Sequence, residues 1–272
     1  MLANLGRALK IGDLRARILF TLAMLLVFRL GVHVPTPGVI PERVASLFAS
    51  GSIFQLLDLF AGGALFTVSV FAMSITPYIN SSIIVQLLTV VLPRLEEWAK
   101  EGEEGRRKLM QLTRYGTVVL ALLQAGGISF FLLRQGALAW PGFAGMVVVT
   151  MTLTAGTVLL MWIGEQITEK GIGNGISLLI FAGIVSRLPH GLVTLWELWR
   201  AGAVSIFQIF LLLVLGLAVI VLVIWVTEGQ RRIPVQYAKR VVGRRIYGGQ
   251  STHIPIRVNQ AGVIPVIFAA SL

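Results

Sequence analysis

The side chains best able to do chemistry are few and scattered. The three histidines, His33, His190 and His253, lie far apart, and none stands in an HExxH or similar metal-ligand spacing. The chain has no cysteine, which removes thiolate metal sites, thiol nucleophiles and disulfides. It has no GxSxG elbow, no paired intramembrane aspartates and no P-loop lysine motif. The string GIGNGIS, Gly171–Ser177, has glycines that could cradle a phosphate, but no strand is predicted before it and no lysine motif follows. It reads as a tight cytoplasmic turn. No catalytic residue, cofactor or metal is expected.

Polar groups inside apolar runs carry more information, because they are costly in lipid and face a cavity or a partner helix. Asn80 follows Pro77 in one such run, Gln124 lies in the middle of another, and Asn259 opens the last. Their amides suit hydrogen bonds across helices, which includes ordinary interhelical glue worth about 0.6 kcal/mol each. Arg29 is the one charge within the first run, near its outer end, placed to snorkel to the headgroups. Ile75 and Ile79 are one helical turn apart, as are Ile176 and Ile180. Such pairs can close a pore by dewetting, and the same spacing serves plain packing.

The elements that hold these residues follow from composition. Of 272 residues, 56% are hydrophobic and 13% charged, against about 45–50% and about 25% in soluble domains. Lipid must solvate that surface. A helix needs about 20 apolar residues to cross about 30 Å of hydrocarbon. Spans are predicted near Arg17–Val34, Val68–Leu92, Leu112–Leu133, Phe143–Gly164, Ile176–Leu195 and Val204–Val226, with a seventh starting near Gln260. Pro189 and His190 interrupt the fifth. The basic start leads into an apolar run without a small-residue cleavage pattern, so a cleavable signal peptide is not expected. Counting the amino terminus and every second loop as cytoplasmic places 18 of the 23 Lys and Arg there. The other side holds only Arg43, Arg134, Arg187 and Arg200. That bias orients the amino terminus to the cytoplasm.

One stretch resists simple crossing. Ile53–Leu92 is nearly continuously apolar over 40 residues, yet two crossings would put the basic Arg94–Arg114 loop outside. Asp58 and Gly62–Gly63 suit a half-helix over Ile53–Phe66 that enters and does not cross, which needs protein or a water-filled cavity around it. An amphipathic helix on the outer surface fits as well. Farther on, loop 227–257 holds seven Lys and Arg against the single acid Glu228. Alternation in RIPVQYAKRVVGRRIY, with Gly243 as the turn, predicts an extended hairpin able to dock on RNA or an acidic protein surface.

Seven strings closely resemble the bacterial SecY channel family in order and almost end to end: RLGVHVPTPGV (29–39), LFAGGALF (59–66), ITPYINSSIIVQLLTVVLP (75–93), KEGEEGRRKLMQLTRYGT (100–117), GEQITEKGIGNGISLLIFAGI (164–184), RRIPVQYAKR (231–240) and RVNQAGVIPVIFA (257–269). The resemblance implies an all-α polytopic bundle of ten spans in two inverted halves around an hourglass pore. It divides the chain into a five-span first half, 1–200, and the start of the second, 201–272. The half-helix within 53–67 corresponds to the family's plug, through Phe60, Gly62, Gly63, Leu65 and Phe66. Ile75, Ile79, Ile176, Ile180 and Ile267 match the apolar pore ring. Asn80, Gln124 and Asn259 match a polar cluster at the lateral gate, where a signal sequence intercalates; position 80 is often a small hydroxyl residue in the family. Arg232, Lys239, Arg244 and Arg245 match loop positions that dock the ribosome or the SecA motor.

The implied activity is passage of unfolded secretory polypeptides across the bacterial plasma membrane and lateral release of membrane segments. The implied partners are the SecE and SecG small membrane subunits, the SecA motor ATPase, the ribosome, signal sequences, nascent polypeptides and the lipid bilayer. On this likeness the chain ends inside the seventh span and is expected to be a portion of a longer protein. A secondary transporter for a small solute is the alternative, since inverted repeats and broken helices occur there too. Such a transporter needs a membrane-embedded charge or a coordinated polar site, and little beyond Asn80 and Gln124 is on offer.

Overall fold

The computed structural model describes residues 12–44, 68–235, 240–242, 245–247 and 252–259. It forms two compact units, Met1–Leu192 and Val193–Leu272. In the first unit, helix α1 spans Gly12–Val32. It is long enough to cross, but Asp13, Arg15, Arg17 and Arg29 leave only residues 18–28 free of charge.

Helix α2 spans Thr76–Val91, later than the predicted start at Val68. Residues 68–75 are instead a run of turns, with Val68 and Ser74 at φ 40° and 52°. Non-glycine residues seldom adopt that region. The turns are held by protein on both sides. Thr36 N donates to Val68 O at 3.0 Å, and Val70 N donates to Val34 O at 3.0 Å. Val68, Ser69, Phe71, Ala72, Met73 and Ile75 are buried, so irregular backbone is shielded from lipid as it must be. Pro77 sits in the first turn of α2, where its missing N–H costs nothing.

Pro93 ends α2 by forcing Leu92 into an extended conformation, ψ 116°. Helix α3, Pro93–Lys100, then leaves at 102° to α2. Its Lys100 and Glu96 pair at 2.6 Å. The ammonium hydrogen bond holds the exposed Glu96 carboxyl below its ordinary range and raises Lys100 in return.

Helix α4, Glu103–Arg134, buries Thr113, Thr117, Ala121, Ala125 and Ser129, one small residue every four positions. This stripe lets α2 and helix α5, Phe143–Lys170, pack closely on it. Ser81 Oγ donates to Thr113 O at 2.7 Å, and the Thr150 and Ser129 hydroxyls lie 3.0 Å apart. At Gly156 of α5 a Cβ would stand 1.9 Å from Val70 O. Only glycine lets this helix lie on the turn segment.

The GIGNGIS string is a turn, as expected. Gly173 has φ 72°, and Asn174 caps helix α6, Gly175–Val185, by accepting from Ser177 N at 3.1 Å. Ile172 N donates to Thr21 Oγ1 at 3.1 Å and Gly175 N to Thr168 Oγ1 at 2.9 Å, tying the turn to α1 and α5. Helix α7 spans Leu188–Arg200, and the division between the two units falls within it. The predicted interruption at Pro189 and His190 lies slightly earlier, at Ser186–Arg187, because Pro189 is accommodated in the first turn of α7.

In the second unit, α8, Ile206–Glu228, opens with a Ser205–Gln208 capping box and exposes its large apolar side chains all round. Strands β1, Gln230–Val235, and β4, Thr252–Arg257, pair antiparallel from Gln230↔Arg257 to Val235↔Thr252. Strands β2, Arg240–Val242, and β3, Arg245–Tyr247, pair from Arg240↔Tyr247 to Val242↔Arg245. Both ladders share one centre in the sequence, between positions 243 and 244, so they are two stretches of the hairpin expected around Gly243. Among the described residues, four helical stretches are long and apolar enough to cross a membrane, α4, α5, α6 with α7, and α8, or five with α2 and α3.

Candidate functional site

The isoleucines of interest are brought together by α2 and α6. Ile75 precedes the first turn of α2 and Ile79 lies one turn on, its N–H bonded to Ile75 O at 3.1 Å. Ile176 and Ile180 occupy the first two turns of α6. All four belong to one apolar cluster with Phe28 of α1, Phe71 of the turn segment, Leu160, Ile163 and Ile167 of α5 and Leu179 of α6. Their exposure differs. Ile75 is sealed at 2%, whereas Ile79, Ile176 and Ile180 are half-buried at the edge of the cluster. Ile267 and the segment holding Phe60, Gly62, Gly63, Leu65 and Phe66 lie outside the described residues.

The amides are less unified. Asn80 follows Ile79, and its Oδ1 is buried with no hydrogen-bond partner among the described residues. Gln124 is half-buried on α4 and does not bond Asn80. Asn259 lies in the second unit, just past β4. Arg29, expected to reach the headgroups, donates from Nη1 to Ser186 Oγ at 3.1 Å. It thereby ties α1 to the end of α6.

Sequence reasoning missed a polar tie between helices. Arg114 Nε of α4 donates to Glu165 Oε1 of α5 at 2.8 Å. The two residues are 51 apart in sequence, so spacing gave no sign of the pair, although each is a charge at the edge of an apolar run. Among the described residues no group of His, Cys, Asp or Glu could hold a metal ion.

On the hairpin, Arg231 and Arg232 are exposed neighbours on β1, opposite Ile256 and Pro255. Arg245 opens β3, while Lys239 and Arg244 lie outside the described residues.

Membrane-length helices and irregular backbone shielded by protein define a multi-span helical membrane protein. Solved structures agree on the fold. A protein-conducting channel aligns with a TM-score of 0.67 at 18% identity, over 95% of this chain and 56% of the other. The Sec61 channel of a canine ribosome-channel complex from the endoplasmic reticulum aligns at 0.64 and 17%, with the same coverage.

The SecY family model matches residues 69–272. Curated relatives described as protein translocase subunit SecY include that of Escherichia coli K12, 50% identical over 268 residues, 96% of this chain and 60% of the relative. That of Pseudomonas aeruginosa is 49% identical over 264 residues, with the same coverage, and that of Corynebacterium glutamicum 52% over 279 residues, 98% and 62%. The chain belongs to the SecY family, and it spans about 60% of the length of these relatives.

Proposed function

We propose that this chain is the amino-terminal part of the pore-forming subunit of a general protein translocase, passing unfolded polypeptides across a bacterial plasma membrane and releasing membrane segments sideways into lipid. The observation that carries the proposal is the meeting of Ile75, Ile79, Ile176 and Ile180, from two helices, in one apolar cluster. Branched aliphatic side chains offer a passing chain no strong binding site, so transit is tolerant of sequence. Emptied, the same side chains pack shut or dewet and hold back ions. The rest of the ring, Ile267 included, comes from residues beyond those described.

The orphan Asn80 Oδ1, one residue from Ile79, supports a polar contact at the gate, with Gln124 and Asn259 as the other members. A signal sequence is itself an apolar helix and shifts the gate by binding its open form better. The plug, residues 53–67, closes the outer funnel. The chain performs no chemistry, and the free energy for transport comes from partners. Family membership supports SecE and SecG as membrane companions and the SecA motor and the ribosome as cytoplasmic ones, docking on Arg232, Lys239, Arg244 and Arg245. The charge bias puts that hairpin and the amino terminus in the cytoplasm.

The test is site-specific crosslinking in the full-length protein, reconstituted with its small subunits and motor. Probes at Ile79 and Ile180 are expected to capture a stalled secretory precursor, and probes at Leu22 and Leu212, exposed and outside the isoleucine cluster, are not. Capture at none of these positions, or equally at all four, overturns the proposal. Solute uptake by the reconstituted protein without any motor would point instead to a transporter.

A further inference from the structure

The hairpin has two unlike sides. Directly paired residues of an antiparallel ladder share a face, and faces alternate along each strand. Ile233 pairs with Ile254 and Arg231 with Ile256, so these four share one side. Arg232 with Pro255, and Gln230 with Arg257, share the other. The first side carries three exposed isoleucines, between 38% and 55% accessible. An apolar stripe of that kind is not left in water without reason.

The stripe also has a direction. Val258 continues the alternation of Ile254 and Ile256, and its N–H donates to Gly229 O at 3.0 Å. Its Cγ2 stands 3.6 Å from where a Cβ on Gly229 would be. Gly229 closes α8, and beside it lies an open cleft of about 500 Å³ lined by Val221, Ile224, Trp225, Glu228 and Gly229. Exposed apolar side chains thus follow one another from Trp225 at the end of α8, past Val258, to Ile256 and Ile254, with Glu228 and Arg231 as the charges beside them. Trp225, 76% exposed one turn before the helix end, is the residue type that sits at headgroup level.

We infer that the base of this hairpin is a membrane-contact surface, its Ile233–Ile254–Ile256 side lying in the headgroup boundary of the inner leaflet as a continuation of the α8 surface. Arg231 shares that side and extends to lipid phosphate while its stem covers apolar surface. Arg232, one residue on, points away from the bilayer. The consecutive arginines thus divide between lipid and the cytoplasm, whatever docks on the cytoplasmic side.

The experiment uses the full-length protein reconstituted in phosphatidylcholine–phosphatidylglycerol vesicles. This chain has no cysteine, and any in the rest of the full-length protein is first replaced by serine. Ile254→Cys and Ile256→Cys, and on the opposite side Arg232→Cys and His253→Cys, each receive an environment-sensitive fluorophore. Expected are blue-shifted emission and quenching by brominated lipid at 254 and 256, with iodide quenching at 232 and 253. Ready disulfide formation between Ile233→Cys and Ile254→Cys, a directly paired couple, verifies the ladder in the same preparation. With the ladder present, iodide quenching at all four positions overturns the inference. So does shielding of 254 and 256 from both quenchers, which would mean that protein covers the stripe. A ladder that does not form removes the two-sided hairpin and the inference with it.

Discussion

Gly156→Ala isolates the contact between α5 and the turn segment. A new methyl carbon would lie 1.9 Å from Val70 O, and 2.9 Å from both Val70 C and Cγ1. Ordinary contact begins near 3.4 Å, so helix and segment must part by about 1.5 Å at this point. Val70 cannot yield cheaply, because its N–H is bonded to Val34 O and its neighbours are buried. Overpacking of this kind costs about 1–3 kcal/mol, and an obstacle made of backbone puts the cost near 3. Replacing glycine by alanine in a helix interior returns about 1 kcal/mol. Gly126→Ala in α4 supplies the comparison, since nothing lies within 4 Å of a Cβ there. Both changes gain the same propensity, so their difference, about 3 kcal/mol, measures the contact alone. Thermal unfolding of the purified full-length protein in detergent reads it. Gly126→Ala should melt at or above the parent, and Gly156→Ala several degrees below. Because the displaced segment ends at Ile75, vesicles holding Gly156→Ala should also leak ions at rest. Equal melting of the two variants would refute the packing of α5 on residues 68–75.

Other outcomes follow from contacts already described. Arg114→Ala or Glu165→Ala should lower stability by under about 1 kcal/mol, because the pair is partly exposed. The exchanged pair Arg114→Glu with Glu165→Arg should melt closer to the parent than either single reversal, as a double-mutant cycle would show. Reversing the charges at Arg232, Lys239, Arg244 and Arg245 should weaken cosedimentation with ribosomes or the motor, more so at low salt, while membrane insertion stays intact. For α3, Glu96 is depressed by Lys100, so its contribution is present above the ordinary Glu range and lost as pH falls through the lowered value. Lys100 is raised, so its contribution is present below the ordinary Lys value and lost as pH climbs through the raised one. Hydrogen exchange of α3 amides should therefore be slowest, relative to intrinsic rates, at intermediate pH, and Lys100→Gln should flatten the profile.

Long apolar runs and charge placement made α4, α5 and α8 legible, because length and hydropathy report directly on transfer to lipid. The hairpin was legible for a different reason: strand alternation around Gly243 is a local pattern, and the register has the same centre. Residues 68–75 were not legible. VSVFAMSI is as apolar as the helix that follows and contains neither Gly nor Pro, so hydropathy cannot separate turn from helix there. What fixes the turns is tertiary, the bonds to residues 34 and 36 and the close approach of Gly156. The small-residue stripe on α4 shows the same limit, since four-residue spacing was present in the sequence but its partners α2 and α5 were not. The Arg114–Glu165 tie and the bond from Arg29 to Ser186 needed helix neighbours that no local window contains.

Burial separates the isoleucines in a way sequence could not. Ile79, Ile176 and Ile180 keep open surface at the margin of their cluster, whereas Ile75 is enclosed. A side chain at 2% exposure cannot touch a passing polypeptide unless residues 68–75 move first. On the proposed function, Ile75 is then the ring member that seats the first turn of α2, and Ile79 the one that meets the passing chain. In the resting, motor-free protein a small thiol reagent should modify Ile79→Cys and Ile180→Cys much faster than Ile75→Cys. A stalled precursor should narrow that gap if transit displaces the turn segment, and leave it unchanged if the segment stays fixed. Fast modification of Ile75→Cys at rest would show that the enclosing cluster is not closed, and the division of roles among the four isoleucines would fall with it.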